Sequence, residues 1–414
     1  MNKTLMLALI AALYASPLYA ETVTHDAHED VLNTNPNLSL HDVLQKTIQR
    51  SPQQAILAAQ KYQVLAKQKM ATSMLPLTPS VSIYHQNDTL GSGRNERDWQ
   101  AELELPIWLP KQKDSRSKVA ELSADNLNAD TESLQLQVAG ALRDAVWVIA
   151  LNKNEMDLYQ QKLTNAEKLE ADIQRKFQAG ELAKTDLMLV QQETLFAQKN
   201  LIRAKAELMH ARFRYSQLTG LNEIPENHEE AQSTLENFEQ SPQWKAAESK
   251  VSLAKSERDL SVVERRENPQ VILNARSAQG AFDTSYNQSV GIKIRIPFDT
   301  EVRSAPLLAA SEQVLGESVS QRERLRLMLE ADLHEAEHNL SISKKELSIA
   351  EQQFNIAKNS TELAQKAYTL GELDLMSLLR IQSQTFEAEK SYSTRQIQVK
   401  WDTARYNQAV GVLP

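Results

Sequence analysis

The sequence contains no cysteine, only ten glycines in 414 residues and only 6% aromatic side chains. Without cysteine there is no disulfide scaffold, no thiolate zinc site and no lipid-carrying cysteine near the N-terminus. A chain this short of glycine and aromatics, but rich in Ala, Leu, Gln, Glu and Lys, leans toward long helices rather than many short strands and turns. Basic charge is also in deficit: 46 Lys and Arg against 54 Asp and Glu leave a net charge of −8. That balance argues against nucleic acid as a partner. After residue 20 no stretch reaches the roughly 18 to 20 uncharged apolar residues that a spanning helix needs.

The first twenty residues stand apart. Asn2-Lys3-Thr4 is a short basic start, Leu5 to Tyr14 is an apolar run, and Ser16-Pro17-Leu18-Tyr19-Ala20 ends on a small residue. Residues 1–20 therefore read as a secretory signal peptide. The tail that follows, 21–38, carries His25-Asp26-Ala27-His28-Glu29-Asp30. His25 and His28 beside carboxylates are minor candidates for holding a divalent cation, and a solvated acidic tail is the favoured account of them.

The rest of the chain is written twice. Ser51-Pro52-Gln53 recurs as Ser241-Pro242-Gln243 and Pro79 as Pro269, an offset of 190. Pro106 matches Pro297, Gly180 matches Gly371 and Gly220 matches Gly411 at an offset of 191. Phe177 to Leu182 faces Tyr368 to Leu373, both ending Gly-Glu-Leu. The predicted organisation is a first repeat over 39–221, a polar linker over 222–240 and a second repeat over 241–414.

Each repeat has the same order of patterns. Residues about 40–74 and 243–266 read as helix. The period then changes to two. Trp99, Ala101, Leu103 and Leu105 alternate with Gln100, Glu102 and Glu104, and Val290, Ile292, Ile294 and Ile296 alternate with Gly291, Lys293 and Arg295. Each run is preceded by another candidate strand, Ser80 to Gln86 and Gln270 to Arg276, across a polar loop. One β-hairpin per repeat follows, at about 78–106 and 269–297.

Beyond the hairpins there is no proline between Pro110 and Pro225, nor between Pro306 and Pro414. Steps of three and four from Val138 to Phe177 land on apolar residues at ten of twelve positions, and those from Leu187 to Leu218 miss only at Thr194. A sustained 3.5-residue period is a coiled-coil seam. Gly180 and Gly371 stand where a helix ends in a left-handed cap before a return helix, so each repeat ends in a coiled-coil hairpin. At 1.5 Å per residue, a helix over 111–177 would be roughly 100 Å long.

Four strands with one apolar and one charged face cannot close alone, so closure needs further copies. An apolar exterior with Glu102, Glu104, Lys293 and Arg295 turned inward matches a barrel wall with lipid outside and water inside. An ordinary soluble hairpin with one buried face is the plain alternative.

The two-fold repeat, the strand-to-helix junctions Leu103-Glu104-Leu105-Pro106-Ile107-Trp108 and Ile294-Arg295-Ile296-Pro297-Phe298, and the tips Phe177 to Asp186 and Tyr368 to Leu378 resemble the TolC-like outer-membrane efflux proteins. Within that family the Leu-Pro-Ile-Trp junction is most similar to the CzcC-like heavy-metal branch. The resemblance implies an α+β fold: tandem coiled-coil hairpins forming a periplasmic α-barrel, joined to a transmembrane β-barrel of four strands per chain, twelve in a homotrimer. It implies a passive channel in outer-membrane lipid with a large periplasmic portion. The channel docks on a periplasmic adaptor (membrane fusion) protein and an inner-membrane RND-type pump, with no enzymatic activity and no cofactor. Its cargo would be heavy-metal cations, or alternatively drugs or secreted polypeptides.

Several residues are candidates for this work. Tip carboxylates Glu181, Asp186, Glu372 and Asp374 would converge where the tunnel narrows and form a gate, since acidic rings attract cations and can be held shut by ion pairs. Gly180, Leu182, Gly371 and Leu373 would form the adaptor-docking tips. The family's closing acidic ring matches Ser377 and Arg380 here, neither of which is acidic. His334-Glu335-Ala336-Glu337-His338 spells the H-E-x-x-H of zinc peptidases, in which both imidazoles share one helix face. A solvated coil face is the competing account, because no third ligand or second lobe is evident. A soluble coiled-coil adaptor would carry one hairpin inside a β-rich domain, whereas two are read here.

Overall fold

The computed structural model describes residues 32–298 and 301–414. The expected signal peptide, His25 and His28 lie outside the described residues.

Leu40–Arg50 forms α1 behind a capping box, in which the Asp42 amide donates to Ser39 Oγ at 3.1 Å and the Ser39 amide donates to the Asp42 carboxylate at 3.3 Å. The helix stops at Ser51 and a new one, α2 (Gln53–Thr72), starts after Pro52. The single helix expected over 40–74 is therefore two. Pro52 has no amide to continue the ladder, and its fixed φ suits a helix start. Its repeat equivalent Pro242 opens α5 (Pro242–Val263) in the same way, behind the N-cap Ser241.

Strand β1 (Asn33–Asn35) pairs in parallel with β4 (Glu223–Pro225), and Asn33 faces Glu223. A short pairing thus lies within what reads in sequence as tail and linker. Strands β2 (Ser80–Asn87), β3 (Arg97–Pro106), β5 (Gln270–Gln279) and β6 (Asn287–Arg295) form one antiparallel sheet in the order β2-β3-β5-β6. Two hairpins lie side by side, and β2 and β6 are left as open edges.

The sheet continues into helices: β3 into α3 (Gln112–Gln178) and β6 toward α6 (Glu301–Thr369), with the returns α4 (Lys184–Thr219) and α7 (Leu375–Ala409). Helices α3 and α6 have 67 and 69 residues, about 100 Å each. Next to the sheet the contacting helices run α2-α3-α5-α6, the order of the strands they serve. Farther away the order is α4-α3-α7-α6. The chain is a one-layer wall, with α2 and α4 at one edge and α6 at the other.

Two apolar clusters hold the first hairpin. Val138, Leu142, Val146 and Ile149 of α3 pack with Val43 and Leu44 of α1 and with Leu208, Ala211 and Tyr215 of α4. Lower down, Leu163 meets Ala197 and Leu201. Apart from Val146, the α3 and α4 residues among these are the predicted seam positions, buried because a 3.5 period keeps them facing the partner helix. One stretch of α3 is apolar enough to cross a membrane by length and composition, although charged residues such as Arg143 and Asp144 keep every uncharged run in the helix short of 18 residues. Half of it is buried inside the chain. Its apolarity serves the packing against α1 and α4.

The linker is tied down by Arg143, which is 1% exposed on α3. Its guanidinium donates to both carboxylate oxygens of Glu230 at 2.7 and 2.6 Å, to Gln408 Oε1 at 2.6 Å and to the Val412 carbonyl at 2.9 Å. One side chain thereby joins the first repeat, the linker and the C-terminus.

Candidate functional site

The sheet has two unlike faces because its side chains alternate. Register places Val81, Leu103, Leu273 and Ile292 in one row, with the row Ile83, Ala101, Ala275 and Val290 beside it. These residues leave an apolar face open, with Val290 and Ile292 among the most exposed apolar side chains of the sheet. Trp99 and His85 stack at 3.9 Å where the row toward the hairpin loops turns polar. Ten residues of β3 at about 3.4 Å each, tilted by about 40°, stand about 26 Å tall, close to the apolar band of outer-membrane barrels.

The opposite face gathers the charges. Glu102 and Glu104 on β3 share it with Lys293 and Arg295 on β6, and the structure pairs them: Lys293 Nζ lies 3.9 Å from Glu102, and Arg295 Nη2 lies 3.7 Å from Glu104. A third pair, Asp98 with Arg276 at 2.9 Å, lies farther toward the loops. Sequence reading missed it by ending the alternation at Trp99 and placing Asp98 in the loop. Continuing the period of two from Glu104 through Gln100 reaches Asp98.

At the far end, both coil hairpins turn by the same device. The Glu181 amide donates to the Lys176 carbonyl and the Gly180 amide to that of Phe177, both at 2.9 Å. In the second hairpin the Glu372 amide donates to the Ala367 carbonyl at 2.9 Å and the Gly371 amide to that of Tyr368 at 3.1 Å. This is the Schellman arrangement, and Gly180 and Gly371 adopt the left-handed φ of +85° and +77° that it requires. The two tips lie together: Ile173, Leu187 and Val190 pack on Leu375, with Leu182, Phe177 and Tyr368 around them. Leu373 is half-buried and Glu181 and Glu372 are exposed.

The tip acids are not equivalent. Asp374 is the N-cap of α7, accepting from the Ser377 amide at 2.9 Å and from its hydroxyl at 2.6 Å. The Ser377 hydrogen bonds, side chain first, hold the Asp374 carboxyl below its ordinary pKa. Ala183 holds the matching place in α4, and the acid sits three residues further on, at Asp186 in the first helical turn. Asp186 and Asp172 stand near Tyr368; burial first, then these two charges, push the tyrosine hydroxyl up. Lys176 lies over the Tyr368 ring at 5.1 Å and 3.6 Å from Asp172.

His334 and His338 are exposed on α6, with ring centroids 6.1 Å apart. No three His, Asp or Glu side chains converge as a metal site among the described residues.

No protein-family model and no curated protein matches the chain. Solved structures do. The outer membrane protein VceC of Vibrio cholerae superposes with a TM-score of 0.73 at 13% identity, covering 90% of this chain and 96% of that one. This is the TolC-like channel fold. The Campylobacter jejuni CmeC outer membrane channel matches at 0.69 and 13% identity, over 90% of this chain and 85% of that one. The open state of the Neisseria gonorrhoeae MtrE outer membrane channel matches at 0.68 and 15% identity, over 93% and 92%. In the TolC-like frame the four-stranded sheet is a segment of β-barrel and the helical wall a segment of α-barrel. These neighbours are outer-membrane proteins and channels rather than enzymes.

Proposed function

We propose that the chain is the outer-membrane conduit of a tripartite export assembly, passive and without hydrolytic activity. It closes as a homotrimer, sits in outer-membrane lipid with a large periplasmic portion, and docks through the Gly180-Leu182 and Gly371-Leu373 tips on a periplasmic adaptor driven by an RND-type pump. Unfinished edges carry this reading. On α6, Ile342, Ile349, Ile356 and Leu363, and Leu370 just past its end, recur every seven residues and are 39–74% exposed. On α4, Met188, Leu195, Ile202 and Met209 do the same at 42–65%. Two apolar seams on opposite edges of one wall, in line with the open strand edges β2 and β6, are complementary head to tail. Such heterologous contacts close into rings. Two copies would give eight strands, an interior just wide enough for side chains, whereas three give twelve and an open lumen.

Heavy-metal cations are the cargo we favour, on the likeness of the Leu105-Pro106-Ile107-Trp108 junction to the CzcC-like branch. Here Trp108 Nε1 donates to the Met74 carbonyl at 2.9 Å, and Arg116 lies 5.2 Å from the ring centroid. The deciding experiment is the mass of the detergent-extracted protein, with Ile349→Asp and Ile356→Asp as seam breakers. A three-copy mass lost in the seam variants supports the reading. A monodisperse monomer recovered from the periplasm without detergent refutes it. The peptidase alternative is tested by His334→Ala with His338→Ala: loss of bound zinc together with loss of a peptide-cleaving activity would displace the conduit reading.

A further inference from the structure

The polar face of the sheet holds its charges in an unusual distribution. All three acids, Asp98, Glu102 and Glu104, are on β3, and all three cations are on β5 and β6. Segregated in sequence, they are interleaved in space. Arg276 crosses one strand to Asp98, donating from Nε at 3.0 and 3.1 Å. Lys293 and Arg295 reach across the whole width of β5 to Glu102 and Glu104. Beneath these two bridges lies Ile272, an apolar residue on the polar face, at 0% exposure. The long charged stems cover it while their heads pair above. The close approach of Asn274 depends on Gly291, where a Cβ would come within 2.4 Å of Asn274 Oδ1. No other charged residue of these strands occupies that face.

Each carboxylate therefore has its own counter-charge, reached diagonally from a rung two residues along the same face, and the six charges sum to zero over the face. A paired charge projects only a dipole into the water beside it, and its field fades within a few ångströms where a bare charge would reach a Debye length. We propose that the strand-borne lumen is electrically self-cancelling and does not sort permeant ions by charge, so that any sorting is done at the coil tips. The proposal rests on the conduit reading, with this face turned inward.

The test is the cation-to-anion permeability ratio of the full chain in planar bilayers at low salt. Three variants are compared: Arg276→Gln/Lys293→Gln/Arg295→Gln, Asp98→Asn/Glu102→Gln/Glu104→Gln, and all six changes together. The first leaves three bare acids per chain and should raise the ratio about tenfold, and the second should lower it about tenfold. The six-site variant should stay within about twofold of the parent, because it removes a sum that is already zero. Glu102→Lys combined with Lys293→Glu keeps one bridge intact with its polarity reversed, and it should return the ratio toward the parent value from that of Glu102→Lys alone. This pair is the readout if a triple variant fails to insert. A six-site variant displaced as far as either triple, or a swap that restores nothing, overturns the inference. A parent protein that inserts yet carries no current rejects the conduit reading itself.

Discussion

Placing an arginine at Ile292 tests which face of the sheet meets lipid. Ile292 is in register with Leu273, Leu103 and Val81, with the apolar row of Ile83, Ala101, Ala275 and Val290 on one side and that of Leu105, Val271 and Ile294 on the other. It is thus in the middle of the apolar band, several rungs from the Trp99 and His85 stack. A guanidinium at mid-depth of a barrel costs about 2–4 kcal/mol per chain, and therefore about 6–12 kcal/mol for a ring of three if the sites are independent. Gln288→Arg, in the row of Trp99 and Ser277, should cost about 0–1 kcal/mol per chain because that row is at the interface. Lys293→Arg, one residue along but on the opposite face, should cost almost nothing. The assay is urea unfolding of the ring in vesicles, read by the loss of its heat-resistant oligomer on gels. If Lys293→Arg is as damaging as Ile292→Arg, the faces are assigned wrongly. If Gln288→Arg matches Ile292→Arg, depth does not matter and the sheet is not in a bilayer.

Arg143→Met should destabilise the helical wall by about 3–5 kcal/mol, since it strands the Glu230 carboxylate and the acceptors of Gln408 and Val412, while Arg143→Met with Glu230→Met should cost distinctly less. Equal losses in chemical denaturation would mean that packing rather than charge is at stake. Replacing Glu372 by Gln and Asp374 by Asn should raise single-channel conductance or reduce cation selectivity, because Asn still caps α7 and only the charge is lost; an unchanged current would move the gate elsewhere. Gly371→Val should weaken adaptor binding through the turn's φ of +77° alone, as no atom stands within 4 Å of the added Cβ; undiminished co-purification would contradict it. Burial lowers His228 below its ordinary value of 6.5, so the folded linker prefers the neutral ring. Its stabilisation is complete above that value and declines as pH falls below it, so amide exchange over 228–235 should quicken as pH falls below about 6.5, an effect that His228→Gln should abolish.

The wall was legible in sequence wherever a period ran long. Val138 to Phe177 and Leu187 to Leu218 announce helices that must meet, and the period of two around Leu103 and Ile292 assigns both faces of each hairpin. The seven-residue stripes on α4 and α6 were equally present, but a buried seam and an unpartnered one look alike until packing shows which is covered. Strands β1 and β4 escaped because Asn33-Thr34-Asn35 and Glu223-Ile224-Pro225 are too short and too polar for any period, and their pairing is not local. At the candidate site, alternation put Glu102, Glu104, Lys293 and Arg295 on one face. Their partnership over Ile272 depends on register across β5, which no single strand encodes. Asp374 had been a carboxylate near a turn, and its bond to Ser377 makes it part of the helix start.

The parallel pair β1 and β4 has a temporal consequence. Asn33 and Glu223 are 190 residues apart, the same interval that separates the two copies of the repeat. A chain that emerges N-terminus first presents β1 long before its complement exists. Closing a loop of that length costs about 5 kcal/mol of chain entropy, more than three residues of pairing can repay. The clasp must therefore form last, after α1, α3 and α4 have already brought its ends together. It is a latch on a finished half rather than a seed for it, and its opening should be among the first events when the protein unfolds.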